Sequence, residues 1–169
     1  FREIKPDFVI HLAAQPIVIK SYLDPFDTFY TNILGSLNIF ELSNKISSKR
    51  IINFTSDKVY QNLDNKKAFK ETDVLKGSDP YSLSKSCSDM IGECINNKII
   101  DDMKIATIRC GNIIGGGDWS EYRIIPDYYS AYINKKNLTI RNPLNVRPWQ
   151  HVINPIFAIY QIIKKNNSK

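Results

Sequence analysis

Short apolar, β-branched runs alternate along this chain with longer segments whose apolar residues recur every three or four positions, and this alternation limits the fold more than any other feature. Asp7 to Leu12 reads as a buried strand, and Pro25 to about Lys45, with Phe26, Phe29, Ile33, Leu37 and Phe40 in step, as an amphipathic helix. Arg50 to Thr55 is a second strand, Asn62 to Asp79 a polar loop, and Pro80 to about Asn97 a helix opened by proline in its first turn. A third strand, Lys104 to Arg109, runs into the Gly115-Gly116-Gly117 turn, and helices follow around Pro126 to Asn134 and Pro155 to Lys164. Strands with near-continuous apolar character, separated by helices, make a parallel sheet with helices on both faces: an α/β, doubly wound architecture. Such sheets bind ligands at the carboxyl ends of their strands. The segments to search for chemistry are therefore His11 to Gln15, Thr55 to Lys58, and Cys110 to Asp118.

At 169 residues, 43% hydrophobic and 24% charged, the chain can close about one core of domain size. The net charge of +6 raises the question of nucleic acid. The basic residues, however, are scattered among 17 acidic ones, as on a solvated surface, so no nucleic-acid partner is expected. Cys87, Cys94 and Cys110 lack the spacing of a zinc site or redox pair and read as reduced thiols of a cytoplasmic protein; no metal is expected. No apolar stretch approaches the ~20 residues of a membrane helix. Because the chain opens at Phe1 and enters a strand-like run almost at once, it reads as the middle portion of a longer protein.

Tyr81 and Lys85 stand four apart at the start of a helix, which puts their side chains on one face, about 5–6 Å apart at Cβ. A tyrosine titrates near pH ~10, and a neighbouring ammonium favours its phenolate, the form that takes a proton from an alcohol during oxidation. Spacing alone also describes an ordinary surface pair. Ser56, directly after the preceding strand, adds a hydroxyl that can hold the same alcohol.

Ser56 with Tyr81-Ser-Leu-Ser-Lys85 resembles the catalytic set of the short-chain dehydrogenase/reductase family, and His11-Leu-Ala-Ala14 resembles its extended, nucleotide-sugar branch. Within that branch Thr55-Ser-Asp-Lys-Val-Tyr60, Gly111 to Trp119, and Arg147-Pro-Trp-Gln-His-Val152 are similar to the CDP-glucose 4,6-dehydratases. The resemblance implies a Rossmann-like sheet with bound NAD. It also implies a reaction that oxidises C4 of a nucleotide-glucose, eliminates water across C5 and C6, and returns hydride to C6. Asp57 is then the acid for the C6 hydroxyl. Lys58 stands where related dTDP-glucose enzymes carry a glutamate, and as the C5 base it must be largely neutral, through desolvation or the neighbouring Lys85.

By the same resemblance Leu12, Ala13, Ala14 and Thr55, with Tyr81 and Lys85, lie along NAD, whereas Gln15, Asn112, Arg123 and Arg147 are candidates for substrate. Guanidinium groups suit a diphosphate because they offer paired donors. His11 reads as a core histidine, Asn32 as a support below the site, and Trp119 and Trp149 as core. Residues 1–112 are expected to form part of an NAD-binding domain and 113–169 part of a smaller nucleotide-sugar-binding region. The glycine-rich turn for the cofactor pyrophosphate is expected before Phe1 and a lid segment after Lys169, so that an isolated piece would be inactive. The resemblance further implies a homodimer. An epimerase or dehydrogenase of the same branch, and a noncatalytic nucleotide-sugar-binding protein, are the alternatives.

Overall fold

The structure is a computed structural model that describes residues 3–62, 68–96 and 104–166. Part of the expected polar loop and Asn97, the expected end of a helix, lie outside the described residues. Strands β1 (Phe8–His11), β2 (Arg50–Ser56) and β3 (Ile105–Cys110) form a parallel sheet in that spatial order. Between β1 and β2 come α1 (Val18–Leu23), α2 (Pro25–Phe29), one turn of π-helix (Tyr30–Leu34) and α3 (Gly35–Lys45); α4 (Pro80–Cys94) links β2 to β3.

Register explains which side chains meet beneath the helices. Val9, Ile51 and Ile105 lie side by side across the three strands and, with Phe40 of α3, make the buried core, against which Ile39, Ile91 and Ile95 pack. Two residues further along, the same face carries His11, Asn53 and Thr107, and two further on Thr55 and Arg109. Side chains alternate between faces with period two, so this helix-covered face turns from apolar to polar towards the carboxyl ends of the strands. On the opposite face Ile10 is 43% exposed.

The helix over residues 25–45 differs from the expected apolar stripe. Its buried residues are Thr28, Asn32, Ser36, Phe40 and Ser43, while Phe26 is 73% exposed. Four-residue steps on a regular α-helix drift around the axis by about 40° each. The wider π turn, in which Gly35 N–H bonds to Tyr30 O, takes out part of that drift and keeps Thr28, Asn32 and Ser36 in line. Small polar residues there let α3 and α4 approach closely: Ser88 Oγ donates to Ser36 Oγ at 2.8 Å, and Ser36 Oγ donates to Asn32 O at 2.6 Å. Of the residues in that periodicity Phe26 and Leu37 face outwards, Phe29 and Ile33 are half-buried, and Phe40 alone is buried.

The chain leaves the main sheet at one residue. Gly111 separates β3 from β4 (Asn112–Ile114), which pairs in parallel with β5 (Trp149–His151) in a second sheet. A Cβ at Gly111 would lie 2.7 Å from Pro148 Cγ and O, so only glycine fits. After β4 the glycine turn follows, with Gly117 at φ +86°; then come α5 (Ile124–Ile133), β5 and α6 (Ile153–Asn166). Trp119 and Trp149, expected in the core, are 73% and 42% exposed, because the second sheet has only two strands and neither indole is enclosed by it. No helix among the described residues is long and apolar enough to cross a membrane.

Candidate active site

A cleft of about 710 Å³ opens at the carboxyl ends of the strands and is lined by residues of both sheets. Ser56 closes β2 in extended conformation and caps the short 3₁₀ turn Asp57–Val59: its Oγ accepts from Lys58 N–H at 3.2 Å and donates to Asp57 Oδ1 at 3.1 Å. The turn fans Ser56, Asp57 and Lys58 into the cleft from consecutive positions. Opposite them, Pro80 opens α4, and Asp79 forms a reciprocal cap with Ser82, the two backbone amides each bonded to the other's side chain at 2.9 and 3.0 Å. This cap places Tyr81 in the first turn, with its side chain lining the cleft beside Ser56, and Lys85 one turn below.

Lys85 is 5% exposed and donates from Nζ to Phe54 O at 2.8 Å. Burial lowers its pKa to about 8. Burial also raises Tyr81, and the groups that pull its pKa down are the Ser56 hydroxyl and the Arg123 charge. The expected influence of Lys85 on the phenol is not among them. Lys58 is shifted down, first by burial and then by Arg147, against the charges of Asp79 and Asp57. Arg147, not Lys85, is thus the cation that favours neutral Lys58.

The remaining expected residues divide by position. Leu12 and Ala14, at the end of β1, line the cleft with Asn112, Arg123 and Arg147; Ala13 does not. Thr55 contributes to the lining, but its hydroxyl points into the protein, donating to Asp89 Oδ2 at 3.2 Å. Arg123 lies within 3.3 Å of Asp118. Gln15, expected to reach substrate, instead spends its side chain bracing the loop: it accepts from Ile17 N–H at 2.7 Å and donates to Ile17 O and to Thr28 Oγ1. Asn32 is the support below the site, accepting from Gln15 N–H at 2.8 Å and donating to Gln15 O and to Ser84 Oγ. Ser84 in turn donates to Tyr81 O. His11 is a core residue, 6% exposed and 3.1 Å from Ser36 Oγ, with its pKa lowered by burial and then by Lys85.

Sequence reasoning missed Asp79 and the buried Asp89–Arg109 pair. A signal for Asp89 existed, since positions 81, 85 and 89 share one helix face. Among the described residues no cluster of His, Cys, Asp or Glu could hold a metal ion.

The family profile described as GDP-mannose 4,6 dehydratase matches residues 1–169. The chain is 38% identical over 162 residues to the CDP-glucose 4,6-dehydratase of Salmonella typhimurium, a match that covers 91% of this chain and 45% of that enzyme. A dTDP-glucose 4,6-dehydratase from Bacillus anthracis, solved in complex with NAD, is similar with a TM-score of 0.77 at 26% identity, over 94% of this chain and 47% of that one. The dTDP-glucose 4,6-dehydratase of Streptomyces venezuelae shares the fold with a TM-score of 0.83 at 23% identity, over 93% and 48% of the two chains. The chain spans about half the length of the curated relatives it matches. Matched along its whole length by one family profile, and folded as the parallel-sheet α/β proteins it resembles, the chain belongs to the GDP-mannose 4,6 dehydratase family.

Proposed function

We propose that this chain carries the catalytic groups of an NAD-dependent nucleotide-sugar 4,6-dehydratase, with CDP-glucose as the substrate. One observation carries the reading: Ser56, Asp57 and Lys58 fan from a single strand end towards Tyr81 and Lys85 in one cleft, giving an oxidation set and an elimination pair in reach of one sugar. The choice of CDP-glucose is supported by the 38% identity to the Salmonella enzyme. Residues 1–112 hold the catalytic side chains and part of the cofactor site, and 113–169 contribute Arg123 and Arg147 towards the diphosphate and Asn112's neighbours in the second sheet. The three cysteines are free, in keeping with a cytoplasmic setting.

The residues present fit the nicotinamide end of NAD: Leu12 and Ala14 offer small or flat apolar walls, and Lys85 has donors left after its bond to Phe54 O. NAD would supply the hydride acceptor for C4 and the hydride donor for C6. The Tyr81 phenolate takes the C4 hydroxyl proton while Ser56 holds the oxygen. Lys58, whose pKa burial and Arg147 push down, removes the C5 proton in its neutral form, and Asp57 protonates the departing C6 hydroxyl. Asn112, Arg123 and Arg147 orient the sugar diphosphate.

The outward face of the helix over residues 25–45 carries Phe26, Tyr30, Leu34 and Leu37, between 41% and 73% exposed, and Leu83 and Met90 of α4 are exposed as well. An apolar face of this kind suits a second copy of the chain, and we read the protein as a homodimer. The test of function uses the full-length protein with NAD and, separately, CDP-glucose, dTDP-glucose and GDP-mannose, following the 4-keto-6-deoxy product. Selective turnover of CDP-glucose, abolished in Tyr81→Phe and lowered at least about a hundredfold in Lys58→Ala, is expected. Absence of product from all three, in folded protein with NAD bound, would overturn the dehydratase reading in favour of an epimerase or a binding protein.

A further inference from the structure

We propose that Arg109 is a positioning residue that fixes the elimination pair, Asp57 and Lys58, against the oxidation pair, Tyr81 and Lys85. The inference rests on the dehydratase reading above. Asp89 lies one helical turn beyond Lys85 on the face of α4 that begins with Tyr81, and it is 1% exposed. Its carboxylate receives one edge of the Arg109 guanidinium through two donors, Nε to Oδ2 at 2.7 Å and Nη2 to Oδ1 at 2.9 Å, and Thr55 Oγ1 reaches the same Oδ2. The remaining nitrogen, Nη1, donates to Tyr60 Oη at 3.2 Å and to Glu71 O at 2.8 Å, and the guanidinium carbon stands 5.1 Å from the centre of the Tyr60 ring.

Tyr60 is the residue that ends the Asp57–Val59 turn. The guanidinium therefore connects the helix carrying one half of the chemistry to the turn carrying the other, through Asp89 on one side and Tyr60 on the other. Further bonds show why this turn needs a fixed far end. Val59 O accepts from Lys76 N–H at 2.8 Å and from Ser86 Oγ at 3.1 Å, Gln61 N–H donates to Val74 O, and Tyr60 pairs with Leu75 in an isolated antiparallel bridge. Phe69 stacks on Tyr60 with ring centres 4.7 Å apart. At its near end the turn continues from β2, where Ser56 pairs with Cys110, and Lys58 N–H is bonded to Ser56 Oγ, a group that the reaction itself must use. A planar fork with five donors can meet Asp89 twice, Tyr60 and Glu71 at once; a lysine ammonium cannot.

The test compares the full-length protein with Tyr60→Phe and Arg109→Lys. Tyr60→Phe leaves Asp89, Arg109 and the aromatic ring in place, so it keeps the proposal testable if Arg109→Lys folds poorly. Two readouts are taken in a single turnover with CDP-glucose and NAD: oxidation at C4, from the rise of reduced nicotinamide, and elimination, from deuterium entering C5 and from release of the 6-deoxy product. Melting temperature is recorded alongside. The expected result is C4 oxidation within about twofold of the parent, with elimination slowed about tenfold in Tyr60→Phe and more in Arg109→Lys, so that the reduced cofactor persists. A merely structural contact would lower both steps together in proportion to folded protein. Equal loss in the two steps, or no loss in either, would overturn the positioning role while leaving the dehydratase reading intact. A parent that forms no 6-deoxy product overturns that reading and this inference with it.

Discussion

Lys85 is a charged group that folding takes out of water. Its folded pKa, about 8, lies below the ordinary 10.5, so between those values the unfolded chain binds the proton and the folded chain does not. Stability contributed by this site therefore rises as pH increases from about 8 to 10.5, and the full cost of burying the ammonium is felt below pH 8. In urea titrations Lys85→Met should gain most over the parent at pH 7 and lose much of that advantage by pH 9.5; a constant difference would show that Lys85 is not the titrating group. The reason for keeping so costly a charge lies in its place, one turn below Tyr81 and facing the cleft. This residue, like Ser56 and Tyr81, was legible through the motif the three make together, because the four-residue spacing alone also describes a surface pair. Gln15 was not, because nothing in a sequence tells whether an amide at a strand end turns outwards or closes on the backbone two residues along.

At the scale of elements, α4 is the structural support of the site, and its N-terminus is set by Asp79. The cap has two separable parts, a hydrogen-bond acceptor for Ser82 N–H and a negative charge that raises both Lys58 and Tyr81. Asp79→Asn keeps the acceptor and removes the charge. Both pKa values should then fall, and the acid limb of the dehydration rate should move to lower pH with thermal stability nearly unchanged. Asp79→Ala removes both parts and should also cost ~1 kcal/mol of stability, read from the urea midpoint. An Asp79→Asn profile that coincides with the parent would exclude the electrostatic part. Strand and helix order was readable from apolar periodicity, yet the buried face of the helix over 25–45 was not. Its inward residues are Thr28, Asn32 and Ser36, which no hydrophobic pattern marks, since what fills the space between α3 and α4 is a set of hydrogen bonds between small side chains.

For the molecule as a whole, Phe26, Tyr30, Leu34 and Leu37 make an apolar stripe turned outwards, and of these the periodicity had picked out only Phe26 and Leu37. If a second copy covers it, Tyr30→Glu combined with Leu37→Glu should halve the mass seen in sedimentation equilibrium. The cleft residues are separate from this stripe, so the Tyr81 and Lys85 environment should persist in the monomer. An unchanged mass would place the subunit contact elsewhere. The two tryptophans are the other lesson at this scale. Their size argued for burial, but the two-stranded sheet encloses neither of them. The passage between the sheets has a final consequence. Because β3 and β4 meet at Gly111, and Gly111 lies against Pro148, the residue after Arg147, the two sheets share a single tolerance. Any side chain at Gly111 would have to displace Pro148 and, with it, the Arg147 beside it, so the placing of an arginine on the cleft wall depends on the least bulky residue in the chain.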